Sequence, residues 1–138
     1  MPHDNEDRGR MRTADIDTIP VKLREAVIDK TPEINLNSLK RIRKRQQRCY
    51  ELSDRVILDN PSWILVHLNV FNGAIRIDHA WLEKDGVVYD PVLDAFFDKM
   101  KLYAIVTPKD IKKYNQKQAA RIICGTKKHG PWYPDEEK

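Results

Sequence analysis

The sequence predicts an α+β fold, with helices packed on an antiparallel sheet and a C-terminal helix. Three observations predict it. Apolar residues recur at three- and four-residue steps between Ser38 and Ile57. Residues 63 to 92 change to β-branched and aromatic runs punctuated by Asn72-Gly73 and Asp85-Gly86. A helix-start sequence, Thr107-Pro108-Lys109-Asp110, then follows. With 138 residues, 41% of them hydrophobic, the chain can bury one core. A single domain is expected over residues 19 to 126, between a mobile tail at 1 to 18 and an irregular tail at 127 to 138.

Each element has a local reason. The first 18 residues are polar and aperiodic. A short helix is expected from Pro20, carried by Val21, Leu23, Val27 and Ile28 and closed by the Thr31-Pro32-Glu33 turn. A longer one follows from Ser38 as N-cap, with Leu39, Ile42, Gln46, Cys49, Leu52, Ser53, Val56 and Ile57 on one face, and Asn60-Pro61 stops it. Residues 63 to 71, 75 to 83 and 87 to 92 read as three strands joined by turns, residues 93 to 100 as a helical turn, and residues 102 to 106 as a fourth strand. The last helix is expected from Pro108 to about Ile123, with Gly125 as its stop.

Charge is uneven. Residues 21 to 48 carry nine basic against three acidic groups, residues 49 to 107 five against nine, and residues 108 to 138 eight against four. The densest run, Lys40, Arg41, Arg43, Lys44, Arg45 and Arg48, suits either a phosphate-binding face or a solvated helix surface. The longest apolar run is broken by His67 and Asn69, which excludes a membrane-spanning helix there, and no secretory signal follows Met1. A cytoplasmic protein with no membrane partner is expected, with Cys49 and Cys124 as thiols.

The stretch IRIDHAWLEKDGVVYDPV, residues 75 to 92, carries the chemistry. If Asp85-Gly86 forms a two-residue hairpin loop, Leu82 faces Tyr89 and Trp81 faces Asp90. Ile75, Ile77, His79 and Trp81 then share one face, and Asp90 lies diagonal to His79, as a carboxylate that orients an imidazole must. A three-residue loop would instead send Asp90 to the opposite face. Asp78 points away from that face. Cys49 is the nucleophile such a histidine would activate. His67 falls on the opposite parity to Ile64, Val66 and Leu68, where exposure is expected, and is a weaker rival base. Cys124, at a helix end, reads as packing. No paired ligand spacing points to zinc, and thiol chemistry of this kind requires no cofactor.

HAWLEKDGVVYDPV resembles the His-Ala-Trp-x-Glu to Asp-Pro segment of transglutaminase-like proteins, within the broader papain-like group of cysteine enzymes. The resemblance covers roughly residues 45 to 92. It implies a Cys-His-Asp triad of Cys49, His79 and Asp90, with the cysteine on a helix packed against the sheet. It also implies acyl transfer or amide hydrolysis on a protein or peptide substrate, as in a peptidase, deamidase or transglutaminase. Family cysteines stand at a helix start after a small residue, whereas Arg48 precedes Cys49 here. Either the chain breaks near Gln46-Gln47 or Cys49 lies mid-helix. An oxyanion hole would draw on the Cys49 amide and on Gln46 or Gln47, and Trp81 and Tyr89 read as core or pocket wall. The rival class is a non-catalytic module of the same fold that binds nucleic acid or protein through the basic run.

Overall fold

A computed structural model describes residues 15–137. Of the tail expected at residues 1 to 18, residues 1 to 14 lie outside the described residues; Asp15–Thr18 form a 3-10 turn, and Ile19 is buried. Five strands follow the first α-helix, α1 (Cys49–Leu58): β1 (Ile64–Phe71), β2 (Arg76–Lys84), β3 (Val87–Asp90), β4 (Ala95–Asp98) and β5 (Lys109–Tyr114). Helix α2 (Lys99–Val106) joins β4 to β5, and α3 (Gln116–Thr126) follows β5. The sheet runs β4-β3-β2-β1-β5, every pair antiparallel, so the expected α+β architecture is present. Among the described residues no helix is long and apolar enough to cross a membrane.

Both faces of the sheet are buried. Leu65, Leu82, Tyr89, Phe96 and Tyr114 face Leu52, Val56 and Ile57 of α1 and Ala119 and Ile122 of α3. On the other side, Val66, Leu68, Val70, Trp81, Val88 and Phe97 pack under Ile19, Ala26 and the α2 residues Leu102 and Val106. Alternation along each strand therefore delivers side chains to two cores rather than to one core and solvent. This corrects the expectation for His67, which is buried beneath Tyr50, Tyr114 and Trp132.

Four elements differ from their local signals. The long helix from Ser38 shrinks to a 3-10 turn at Asn37–Leu39, irregular chain follows, and α-helix begins only at Cys49. Like charges at four-residue spacing oppose a helix over Lys40 to Arg45, and Arg45 instead turns back to donate to the carbonyls of Ile42 and Leu39 at 3.0 and 2.9 Å. Residues 95 to 98 form β4 rather than a helical turn, because Phe96 and Phe97 each fill one of the two cores while pairing with β3. Residues 102 to 106 are helical rather than a strand: the Asp98 side chain caps α2 by accepting from Lys101 N at 3.0 Å, and Leu102 and Val106, four apart, share the buried side. Lys109 to Tyr114 complete the sheet as β5, and the last helix starts at an Asn115–Gln118 capping box instead of Pro108. Residues 128 to 137 hold no helix or strand, yet Trp132 among them is fully buried in the α1 and α3 core.

Candidate active site

Cys49 is the first residue of α1. Gln47, at φ +65°, turns the chain just before it, and the first helical bond runs from Leu52 N to Arg48 O at 2.9 Å. Of the two alternatives, the chain break is the one observed. The Arg48 side chain makes no cap bond to the first turn. Instead it pairs with Glu51, 2.7 Å from Oε2, and donates to the Lys44 carbonyl at 2.9 Å. The free backbone N–H groups of the first helical turn therefore lie at Cys49.

The second half of the site is set by the hairpin. Asp85 and Gly86 both have positive φ, +49° and +81°, as a two-residue primed turn requires, and the pairs Lys84–Val87, Glu83–Val88 and Leu82–Tyr89 follow from it. Asp90 closes β3, one step beyond Tyr89 and so level with Trp81. His79 lies two residues along β2, past the last β3 partner, and its Nε2 is 2.8 Å from Asp90 Oδ2. The other carboxylate oxygen accepts from Val92 N at 2.9 Å and Leu93 N at 3.3 Å, so the orienting group is itself held. With Nε2 engaged by Asp90, Nδ1 is the remaining ring nitrogen, and Cys49 is near enough to influence the charge of the ring. Burial works against a charged imidazole here, but the Asp90 carboxylate and then Cys49 outweigh it and raise His79 to about 10.

Trp81 stands edge-on to His79, ring centres 5.7 Å apart, and its indole donates to Glu83 Oε2 at 2.9 Å. Glu83 is buried, pairs with Lys99 at 3.1 Å and accepts from the Tyr103 hydroxyl. Glu83, the acid of the His-Ala-Trp-x-Glu segment, lies two residues from Trp81 and therefore on the same face. Arg45 was grouped with the basic run, but the structure turns it inward: besides its two local carbonyls it donates to Pro91 O at 2.9 Å and lies 3.7 Å from Asp94, tying the chain before Cys49 to the chain after Asp90.

The remaining expectations divide. Lys40, Arg41, Arg43 and Lys44 are exposed on irregular chain rather than on one helical face, and Arg45 and Arg48 are committed to internal bonds. Gln46 and Gln47 are exposed; Gln46 lines a polar cleft with Lys40, Arg43 and Asp94 whose walls include neither Cys49 nor His79. Trp81 does wall an apolar pocket, but Tyr89 belongs to the opposite core, its hydroxyl 2.7 Å from Asp94. Cys124 is exposed rather than packed, because α3 turns it away from Ala119 and Ile122. Asp78 points to the face of His67, as expected.

Asp54, one turn and a half after Cys49, went unnoticed because an acid on an amphipathic helix usually meets water. It is buried, with Oδ2 3.1 Å from His129 Nδ1 and Oδ1 unpartnered among the described residues, and burial followed by the charge of Glu51 raises its carboxyl to about 8. The unfolded chain releases this proton near 3.8, so between that pH and about 8 the folded state binds more protons and stability falls as pH rises. Asp54→Asn is therefore expected to raise the thermal midpoint relative to wild type at pH 8 and to lose that advantage near pH 4. An equal shift at both pH values would contradict it.

The five-stranded antiparallel sheet of this α+β protein therefore carries a strand histidine bonded to a strand-end carboxylate, with a cysteine at the N-terminus of the neighbouring helix. Comparison with protein-family models, curated proteins and solved structures gives no match.

Proposed function

We propose that this protein is a cysteine-dependent acyltransferase or amide hydrolase of the transglutaminase-like, papain-like kind. The observation that carries the reading is the 2.8 Å bond from His79 Nε2 to Asp90, with Cys49, at a helix N-terminus, close enough to influence the charge of the ring. In this mechanism Cys49 sulfur attacks a carbonyl carbon, and the Cys49 amide supports the developing oxyanion. The His79 imidazolium protonates the leaving amine, which departs as the C–N bond breaks and leaves a thioester on Cys49. Water or an acceptor amine then attacks the thioester, His79 takes its proton, and the thiolate leaves. Asp90 keeps the ring oriented through both halves. A protein or peptide substrate and a cytoplasmic setting belong to the same proposal.

Exposure makes the test sharp. Cys49 is 8% exposed and Cys124 is exposed, so accessibility alone favours Cys124. The proposal expects iodoacetamide at pH 6 to alkylate Cys49 first, read by peptide mass, and expects His79→Ala to reverse that order. Faster labelling of Cys124 in the wild type would end the proposal. The rival binding module predicts instead an affinity for nucleic acid that falls steeply with salt and is indifferent to Cys49→Ala.

A further inference from the structure

A cleft of about 210 Å³ borders Tyr50, the second residue of α1, and neither Cys49 nor His79 lines it. Tyr50, Trp132 and Tyr133 form aromatic sides, Asp78 and Asp110 stand exposed at its rim, and His67 lies at its floor. His67 is 4% exposed, and neither ring nitrogen has a hydrogen-bond partner among the described residues. Burial, then the Lys112 charge, lowers it to about 4, so near neutral pH the ring carries no charge and offers one N–H donor and one bare acceptor. A buried acceptor without a donor costs free energy that a guest N–H would offset.

Charge around the cleft is negative. Of the described residues that line it only Lys112 is a cation, and its ammonium is already held by Glu137 at 3.0 Å and by the Trp132 carbonyl at 3.3 Å. Asp110 has no ion-pair partner among the described residues, and Asp78 accepts from the Asn69 side-chain amide at 3.2 Å. Burial, then negative charge on Cys49, Asp78 and Tyr133, raises the Tyr50 hydroxyl above its usual range, so these groups act on one region. Carboxylates at the rim, aromatic rings along the sides and an acceptor at the floor suit an ammonium that keeps its N–H groups on an aliphatic stem. An anion would meet Asp78 and Asp110, and an apolar guest would leave the floor acceptor unpaired.

We infer that this cleft binds an alkyl primary ammonium, the chemistry of a lysine side chain, between the Asp78 and Asp110 carboxylates and the His67 ring. The site is separate from the thiol and imidazole of the proposed function and stands without them.

The test uses the full chain and N-acetyl-lysine methylamide, with the His67 ring resonances followed by NMR. Saturable shifts with a dissociation constant of about 1 mM or tighter are expected. The norleucine analogue, which keeps the stem without the charge, is expected to leave the ring unmoved. The trimethyl-lysine analogue, which keeps the charge without N–H groups, is expected to bind at least about fivefold more weakly, the worth of one hydrogen bond. n-Butylamine separates the two sources of this chemistry: affinity equal to the lysine probe's means that a free amine suffices, and weaker binding means a lysine carried on a chain; either supports the site. Replacing both rim acids, Asp78→Asn with Asp110→Asn, is expected to weaken the lysine probe about fivefold or more, and because both side chains are exposed the thermal midpoint should hold. Equal affinity for the lysine and norleucine probes, unchanged affinity in the doubly substituted chain, or no saturation below about 20 mM would overturn the inference. Iodoacetamide selection of Cys49 plays no part in this measurement, so the cleft and the cysteine reading fail on different results.

Discussion

His79→Ala is expected to slow formation of a thioester on Cys49 by roughly 10²- to 10⁴-fold, the usual worth of a positioned acid–base group. The burst of nitrophenolate from a p-nitrophenyl ester measures this directly, one equivalent per Cys49. A loss below about threefold would mean that the ring does not serve the sulfur. Asp90→Asn should act through the same ring. Burial alone would favour neutral His79; with the Asp90 charge gone, the ring should titrate well below about 10. The stability consequence has a definite sign. The unfolded chain releases the His79 proton near 6.5 and the folded chain near 10, so the stabilisation from this pairing is complete below about 6.5 and is lost as pH rises through about 10. Denaturant unfolding across that window should show the alkaline loss in wild type and a smaller one in Asp90→Asn. NMR titration of His79 gives an independent reading.

Trp132→Ala is expected to cost about 3–5 kcal/mol, as large-to-small changes of a buried tryptophan do. Trp132 is 1% exposed, packs at 5.0 Å against Tyr114 and 4.8 Å against His67, and donates from its indole to Lys128 O at 2.9 Å. Urea unfolding measures the cost; a change under about 1 kcal/mol would show that the C-terminal segment only lies on the surface. A second readout distinguishes loss of this cover from general loosening. Burial, then the Lys112 charge, lowers His67 to about 4, and removing the indole should bring its titration back toward 6.5 before the protein unfolds.

Local chemistry made the hairpin legible. Asp85-Gly86 favours a two-residue turn with positive φ at both positions, and the period of a strand then places His79, Trp81 and Asp90 on one face without reference to anything distant. The strand–turn–strand from Trp63 and the amphipathic stretch from Cys49 to Ile57 were legible for the same reason. The start of α1 was not. Residues 39 to 57 keep a helical period on both sides of Gln47, and the break there depends on Arg45 reaching Pro91, a partner 46 positions away. Residues 95 to 114 were misread because their own propensities yield to the sheet: β4 forms where β3 offers an open edge, and β5 where β1 does.

The sequence by itself determined the α+β class, the hairpin register and the shared face of His79, Trp81 and Asp90, because each follows from periodicity or turn geometry within a few residues. Tertiary structure alone decided that Cys49 heads a helix, that both sheet faces are buried, and that Glu83, Asp54 and Trp132 belong to the interior. Those outcomes depend on which surfaces meet when the chain closes on itself, and burial of this kind leaves no local period to read.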